Sequence, residues 1–327
     1  MPFLMDVSRS SPRNSPRWSN RSARSLKSWD TALLLSPRFL SMDKPDFSLR
    51  DANIAIIGLG LMGGSLALSL KSRCRRLSAL DPNLATLEIA RLQEIVHYAD
   101  SDPAKILANA DLVVLACPVP SIVDWLDCLP AYIQHPCIIL DIGSTKREIV
   151  AALDDLPPNF DPIGGHPICG RERLSLENAE RFLFRDAPFV LTPLSRTSQF
   201  ARSAALEIVR ILGSRPIWMD ADDHDRILAS TSHLPYLLSS ALALATHTEC
   251  APLIGPGFLS TSRLADTPSS MMFGVIQSNR DNILTALHRL QDQLSIIESA
   301  LSTEDFSSLQ KTISNAGFHY HQLITEK

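Results

Sequence analysis

Three short segments concentrate residues that can do chemistry. They are Asp141 to Lys146 (DIGSTK), Gly164 to Gly170 (GGHPICG) and His224 to Tyr236 (HDRILASTSHLPY). In the second, His166 stands between a glycine pair and Pro167, a setting for a rigid loop rather than a plain core position. Its reference pKa of about 6.5 suits a general base near neutrality. Ser144, in the first, offers a hydroxyl that can orient an imidazole and reach a substrate hydroxyl. His224 and His233 are nine residues apart, and steps of about 100° put them on opposite faces of a straight helix. Both serve one site only if that helix bends, and Pro235 is the expected bend. Arg263 follows a glycine-containing stretch, GPGFLSTSR; its guanidinium suits a bidentate grip on a carboxylate and equally suits a surface charge.

A second kind of chemistry is signalled by IAIIGLGLMGGS. Gly58, Gly60 and Gly63 have G-x-G-x-x-G spacing, after an apolar β-branched run and before an apolar helix that opens with Leu61 and Met62. Glycines there allow a tight turn and close backbone approach to a pyrophosphate, and the helix N-terminus favours its charge. Asp81 closes the next strand, where a carboxylate accepts hydrogen bonds from ribose hydroxyls and repels a 2′-phosphate. NAD is the expected cofactor, with NADP left open. Cys117 and Pro118 follow a further buried run, either as a loop against the cofactor or as a plain Pro-rich turn.

The elements that must position these residues read as α/β. Asn53 to Ile57, Leu77 to Leu80, Asp111 to Ala116 and Cys137 to Leu140 are continuous apolar runs, separated by helical stretches. That pattern predicts a doubly wound, Rossmann-type parallel sheet covered on both faces, with added strands at Pro188 to Leu191 and Pro216 to Met219. Past Asp220 the strands stop and Leu- and Ala-rich helices follow. Ile283, Leu287, Leu290, Leu294, Ile297 and Leu301 form a heptad-like seam, which fits a core helix or a subunit interface. The expected division is a leader over residues 1–50, a dinucleotide-binding domain over 51–220 and a helical domain over 221–327.

Residues 1–41 hold ten Ser, six Arg and one Lys against two acids, too little to build a core. They read as an organelle transit peptide, a segment before a true start at Met42, or an unstructured extension. The net charge of -4 gives no reason to expect nucleic acid as a partner. No run approaches the roughly 18 apolar residues of a membrane span. Six scattered cysteines, without a C-x-x-C pair, suggest neither a zinc site nor a disulfide framework, and a reducing compartment. The expectation is a cytoplasmic protein with a small-molecule substrate and no metal, import through residues 1–41 being the alternative location.

In order, GLGLMGGS, DIGSTK, GGHPICG, HDRILASTSHLP and GFLSTSR resemble the prephenate/arogenate dehydrogenase family over about residues 53–280. The resemblance implies a Rossmann-type domain followed by an all-helical dimerisation domain, with the active site between them. It implies oxidative decarboxylation of a cyclohexadienol, with hydride transfer to NAD. His166 matches the family's catalytic histidine and Ser144 the serine that bonds both it and the substrate hydroxyl. Arg263 matches the arginine on a substrate carboxylate; His224, His233 and Gly257 match residues of the cleft. Three positions depart from the pattern. Cys169 replaces a common Ala, Leu259 and Ser260 replace a basic residue and an acid, and Tyr236 stands where prephenate-preferring members often carry His. Tyr236 tilts the expectation towards arogenate. The competing readings are a β-hydroxyacid dehydrogenase or imine reductase, expected to carry a catalytic lysine in the helical domain, and a non-catalytic NAD-sensing protein. The latter has no reason to keep Ser144, His166, His233 and Arg263 together.

Overall fold

The computed structural model describes residues 47–170 and 173–325. The leader expected over residues 1–50 lies, up to residue 46, outside the described residues.

Apolar runs without alternation become strands buried on both faces. β1 (Asn53–Ile57) is central, with β2 (Arg76–Leu80) and β3 (Tyr98–Asp100) on one side. On the other side run β4 (Leu112–Leu115), β5 (Cys137–Asp141), β6 (Phe160–Pro167), β7 (Pro188–Pro193) and β8 (Arg215–Trp218). The order is β3-β2-β1-β4-β5-β6-β7-β8, and only the β6–β7 pair is antiparallel. Along β1, Ile54 and Ile56 join the core on one face, while Ala55 and Ile57 join the core on the other. Helices α1 (Leu61–Leu70), α2 (Leu84–Leu92) and α6 (Gln199–Leu212) cover the first face. The second is covered by α3 (Pro103–Leu107), α4 (Val119–Tyr132) and α5 (Arg147–Asp154).

Two strands differ from the sequence reading. β3 is three residues long, too short for a periodic signal. β6 contains the GGHP motif, expected as a loop; its glycines and prolines disguise a strand that pairs His166 with Val190.

The helical part runs α7 (Ala221–Leu228), a π-helical turn (Ala229–His233), α8 (Leu234–Ala245), α9 (Pro256–Ser262), α10 (Ser269–Ser278), α11 (Arg280–Ser302) and α12 (Phe306–Thr325). Met272 and Val275 of α10 enter the second core, so this part is anchored on the sheet layer. Ala221–Ala245 is one continuous helix, and its irregularity is the π turn directly before Pro235, which removes an N–H from the helix ladder. One seam residue of α11, Ile283, is buried, whereas Leu294 and Leu301 are 51% and 53% exposed. By length and composition Ala221–Ala245 could cross a membrane, which the sequence reading did not foresee. Here that stretch buries His224, Asp225 and His233 in polar contacts with the rest of the chain.

Candidate active site

The turn between β1 and α1 has the geometry that its glycines suggested. Gly58 has φ 97°, and a Cβ there would fall 2.7 Å from the Ala116 carbonyl oxygen. A Cβ on Gly63 would fall 1.9 Å from the Gly58 oxygen, so turn and helix can approach only as glycines. No side chain caps α1, and the N–H groups of Met62 and Gly63 have no intrahelical acceptor. The Leu61 N–H donates to the Leu174 carbonyl at 2.6 Å, which lays the segment after β6 across this turn. The Asp81 carboxylate ends β2, accepting from Leu59 N–H at 2.8 Å and Asn83 N–H at 2.9 Å. Cys117 follows β4, with its backbone nitrogen 3.2 Å from the Cβ position of Gly58. Burial pushes the Cys117 thiol up to about 12, so it stays a neutral thiol. Beside it Pro118 caps α4. A bare helix N-terminus with a carboxylate at the neighbouring strand end fits a dinucleotide, pyrophosphate on the turn and ribose on Asp81.

At the carboxyl ends of β5 and β6, the same edge of the sheet as the turn after β1, two imidazoles and a carboxylate form a chain. His166 Nδ1 lies 2.8 Å from His224 Nε2, and His224 Nδ1 lies 2.8 Å from Asp225 Oδ1. His224 and Asp225 are fully buried. Asp225 Oδ1 also accepts the Lys146 N–H at 2.7 Å, and Oδ2 the Arg147 N–H at 2.9 Å. These amides open α5, which has no side-chain cap of its own, so a carboxylate from α7 caps it. Burial alone would raise the pKa of Asp225; hydrogen bonds from His224 and both amides outweigh it, and the carboxyl sits below its ordinary range. An ionised Asp225 can only accept, so His224 donates to it from Nδ1–H. The Nε2 of His224 then accepts from His166 Nδ1, and the free lone pair of His166 falls on Nε2. Burial first, and then the cost of placing an imidazolium beside two further imidazoles and the ammonium of Lys146, holds the pKa of His166 well below that of free histidine. The outcome is a neutral base with a fixed tautomer.

Lys146 holds the strand ends together. Its fully buried ammonium contacts the Asp141 carboxylate and donates to the Gly165 carbonyl at 2.6 Å, one residue from His166. Asp141 also accepts the N–H of Gly143 and of Gly165. A Cβ on Gly165 would meet the Asp141 carbonyl oxygen at 2.7 Å, which explains a glycine before the histidine. Thr145 Oγ1, 2.8 Å from Ser278 Oγ, ties the same loop to α10.

Known proteins match this chain in two successive parts. Residues 66–217 match the family model "Prephenate dehydrogenase, nucleotide-binding domain", and residues 220–315 match "Prephenate dehydrogenase, dimerization domain". The chain belongs to the prephenate dehydrogenase family. A prephenate dehydrogenase of Bacillus subtilis is 28% identical over 267 residues, 78% of this chain and 72% of the relative. A cyclohexadienyl dehydrogenase of Zymomonas mobilis is 28% identical over 262 residues, 77% of this chain and 89% of the relative. Among solved structures, Synechocystis arogenate dehydrogenase superposes with a TM-score of 0.72 at 27% identity, covering 83% of this chain and 99% of that one. The eight-stranded sheet with its helical second part is therefore the architecture of this family, and the protein is a dehydrogenase. The first match begins inside α1, so the glycine turn stands on its own geometry.

Against that family pattern, the expected residues are brought together unevenly. His166 and His224 are in contact, and His233 joins them through Asn279, whose Nδ2 lies 3.1 Å from His233 Nδ1 and 2.6 Å from the Asp225 carbonyl oxygen. Ser144 lies after β5 but makes no hydrogen bond to His166, whose Nδ1 is taken by His224 instead. Arg263 opens a 3₁₀ turn after α9 and is exposed; Gly257 is the second residue of α9. Tyr236, near the start of α8, is half-buried against the second core. Sequence reasoning passed over Asp225, Lys146 and Asn279. Asp225 carried one usable signal, an acid directly after a histidine at a helix start.

Proposed function

We propose that this dehydrogenase oxidatively decarboxylates a cyclohexadienol carboxylate, arogenate ahead of prephenate, to give tyrosine or 4-hydroxyphenylpyruvate. The observation that carries the reading is the His166–His224–Asp225 chain, which leaves an unprotonated Nε2 on the sheet edge that also carries the glycine turn. Gly58, Gly60, Leu61, Met62, Gly63 and Asp81 would hold NAD, which would supply the hydride acceptor. The substrate's ring carbinol gives up its C–H as hydride and its O–H proton to His166 Nε2. The bond to the ring carboxylate breaks, carbon dioxide leaves, and its electron pair makes the ring aromatic. His166 returns the proton to the phenolate oxygen, so the protein gains no net proton. Imidazolium forming at His166 is stabilised through His224 by the Asp225 carboxylate, and the enzyme's work is to position and to stabilise charge. In this reading Ser144 meets the substrate hydroxyl, and Arg263, Gly257 and His233 its remaining polar groups, as the family pattern of these motifs implies.

Asp81 favours NAD because a 2′-phosphate beside its carboxylate would be repelled. Tyr236, where His would favour prephenate, supports arogenate. The exposed apolar residues of α11 and α12, among them Leu294, Ile313 and Phe318, support a homodimer formed through these helices. Steady-state rates with arogenate and prephenate, each with NAD and NADP, test substrate and cofactor together. His166→Ala should leave NAD binding intact and lower kcat by about two orders of magnitude. Wild-type turnover in that variant would remove His166 from the reaction.

A further inference from the structure

We propose that Asn279 is a positioning residue that fixes His233 as a hydrogen-bond donor, so that His166 and His233 present opposite polarity to the substrate's oxygens. The inference deepens the reading above and rests on it for the identity of those oxygens.

Asn279 is fully buried at the junction of α10 and α11. Its Nδ2 lies 2.6 Å from the main-chain oxygen of Asp225. A carbonyl oxygen only accepts, so the atom facing it must be the amide NH₂, and the orientation of the side chain follows. The Oδ1 accepts from Asn282 Nδ2 at 2.8 Å, which locks the amide at its other end. The second hydrogen of the NH₂ faces His233 Nδ1 at 3.1 Å. Only a lone pair can meet it there, so the ring proton of His233 belongs on Nε2.

His233 is 1% exposed, and its Nε2 makes no hydrogen bond to any described residue yet is not sealed from solvent. A donor at that atom is open to an acceptor, and a substrate carbonyl, carboxylate or phenolate oxygen can take its hydrogen bond. The charged and titratable groups around this ring are Asp225 and His224 from α7, with His166 from β6 beyond them and the ammonium of Lys146 behind His166. Burial holds His233 at about 4, with Asp225 opposing and His224 adding to the shift, so the ring is neutral at physiological pH. One amide thus serves both imidazoles. It supports the backbone of the Asp225 that orients His224 and His166, and it sets the tautomer of His233.

The test uses the full-length protein with ¹⁵N-labelled histidine, the His233 signals being identified by their loss in His233→Gln. Wild type should show a protonated, pyrrole-type Nε2 and a pyridine-type Nδ1 between pH 5.5 and 8. Asn279→Asp replaces the donor with a carboxylate, which draws the proton to Nδ1. That variant should bind NAD normally, lose at least tenfold in kcat/KM and acquire a new ionisation in its pH–rate profile. Asn279→Gln, which keeps the amide, should recover part of the loss. A protonated Nδ1 in wild type overturns the inference, and so does an Asn279→Asp enzyme with wild-type kcat/KM and pH profile. If Asn279→Asp does not fold, the wild-type spectrum decides alone. Retained turnover in His166→Ala would overturn the functional reading while leaving the His233 tautomer standing.

Discussion

Around α7 polar side chains are buried and bonded to one another; along α12 no residue is buried and apolar side chains face outward. His224, Asp225, His233 and Asn279 are at most 1% exposed, and each has a hydrogen-bond partner within the chain. Phe318, Leu323 and Ile313 of α12 are each more than 60% exposed. In the first region these four buried side chains find their partners within the chain itself. The second exposes a surface that water does not favour and that a second copy of the chain would cover. Damage to the first should therefore appear in folding or turnover at unchanged mass, and damage to the second in mass first.

The largest effect is expected at Lys146. Lys146→Met leaves the Asp141 carboxylate buried without its cation. Breaking a buried pair in this way costs about 3–5 kcal/mol. Denaturant unfolding followed by circular dichroism should show that loss, and a midpoint equal to wild type would mean that solvent or another group neutralises Asp141. Asp225→Asn comes next. It removes the charge that fixes the His224 tautomer and keeps most of the shape, so kcat should fall by about 10²-fold or more. An equal loss in NAD affinity would show that the change had spread to the fold.

At the other region, Leu294→Asp combined with Ile313→Asp places two charges in the exposed apolar surface of α11 and α12. Truncation of interface anchors weakens association by 1–2 kcal/mol apiece, so the double variant should dimerise about 100-fold less tightly. Sedimentation at several concentrations gives the number. Should the variant dimerise like wild type, these helices are not the interface and the comparison fails on that side.

Sequence patterns revealed the first region's strands and missed its bonds. β1, β4 and β5 were readable because parallel strands are apolar throughout, whereas β6 was hidden by the glycines that bring His166 close to β5. His166 stood out by its neighbours in sequence. The role of Asp225 did not, since it depends on α7 meeting the N-terminus of α5, a contact between residues 78 and 79 positions apart. Asn279 gave no signal, because a buried amide at a helix junction looks like any cap in one dimension. The second region reverses this. Its seam from Ile283 to Leu301 was plain in the sequence, and that periodicity left core helix and interface equally open. Exposure of Leu294 and Leu301 favours the interface.

The smallest expected effect is a slope in pH that only the buried region should produce. His233 titrates near 6.5 when unfolded and at about 4 in the native protein, chiefly because burial disfavours its charge. Between those values the unfolded chain holds a proton that the folded chain lacks. Stability therefore rises with pH across this window and is lost as pH falls below about 6.5, by about 1.4 kcal/mol per unit for this group. His166, also lowered, adds to the slope in the same direction. His233→Gln should flatten the slope by one group's share between pH 6 and 5, measured as the change in unfolding free energy. An unchanged slope in His233→Gln would show that this ring is already protonated in the native protein, and the buried network would then need a different account.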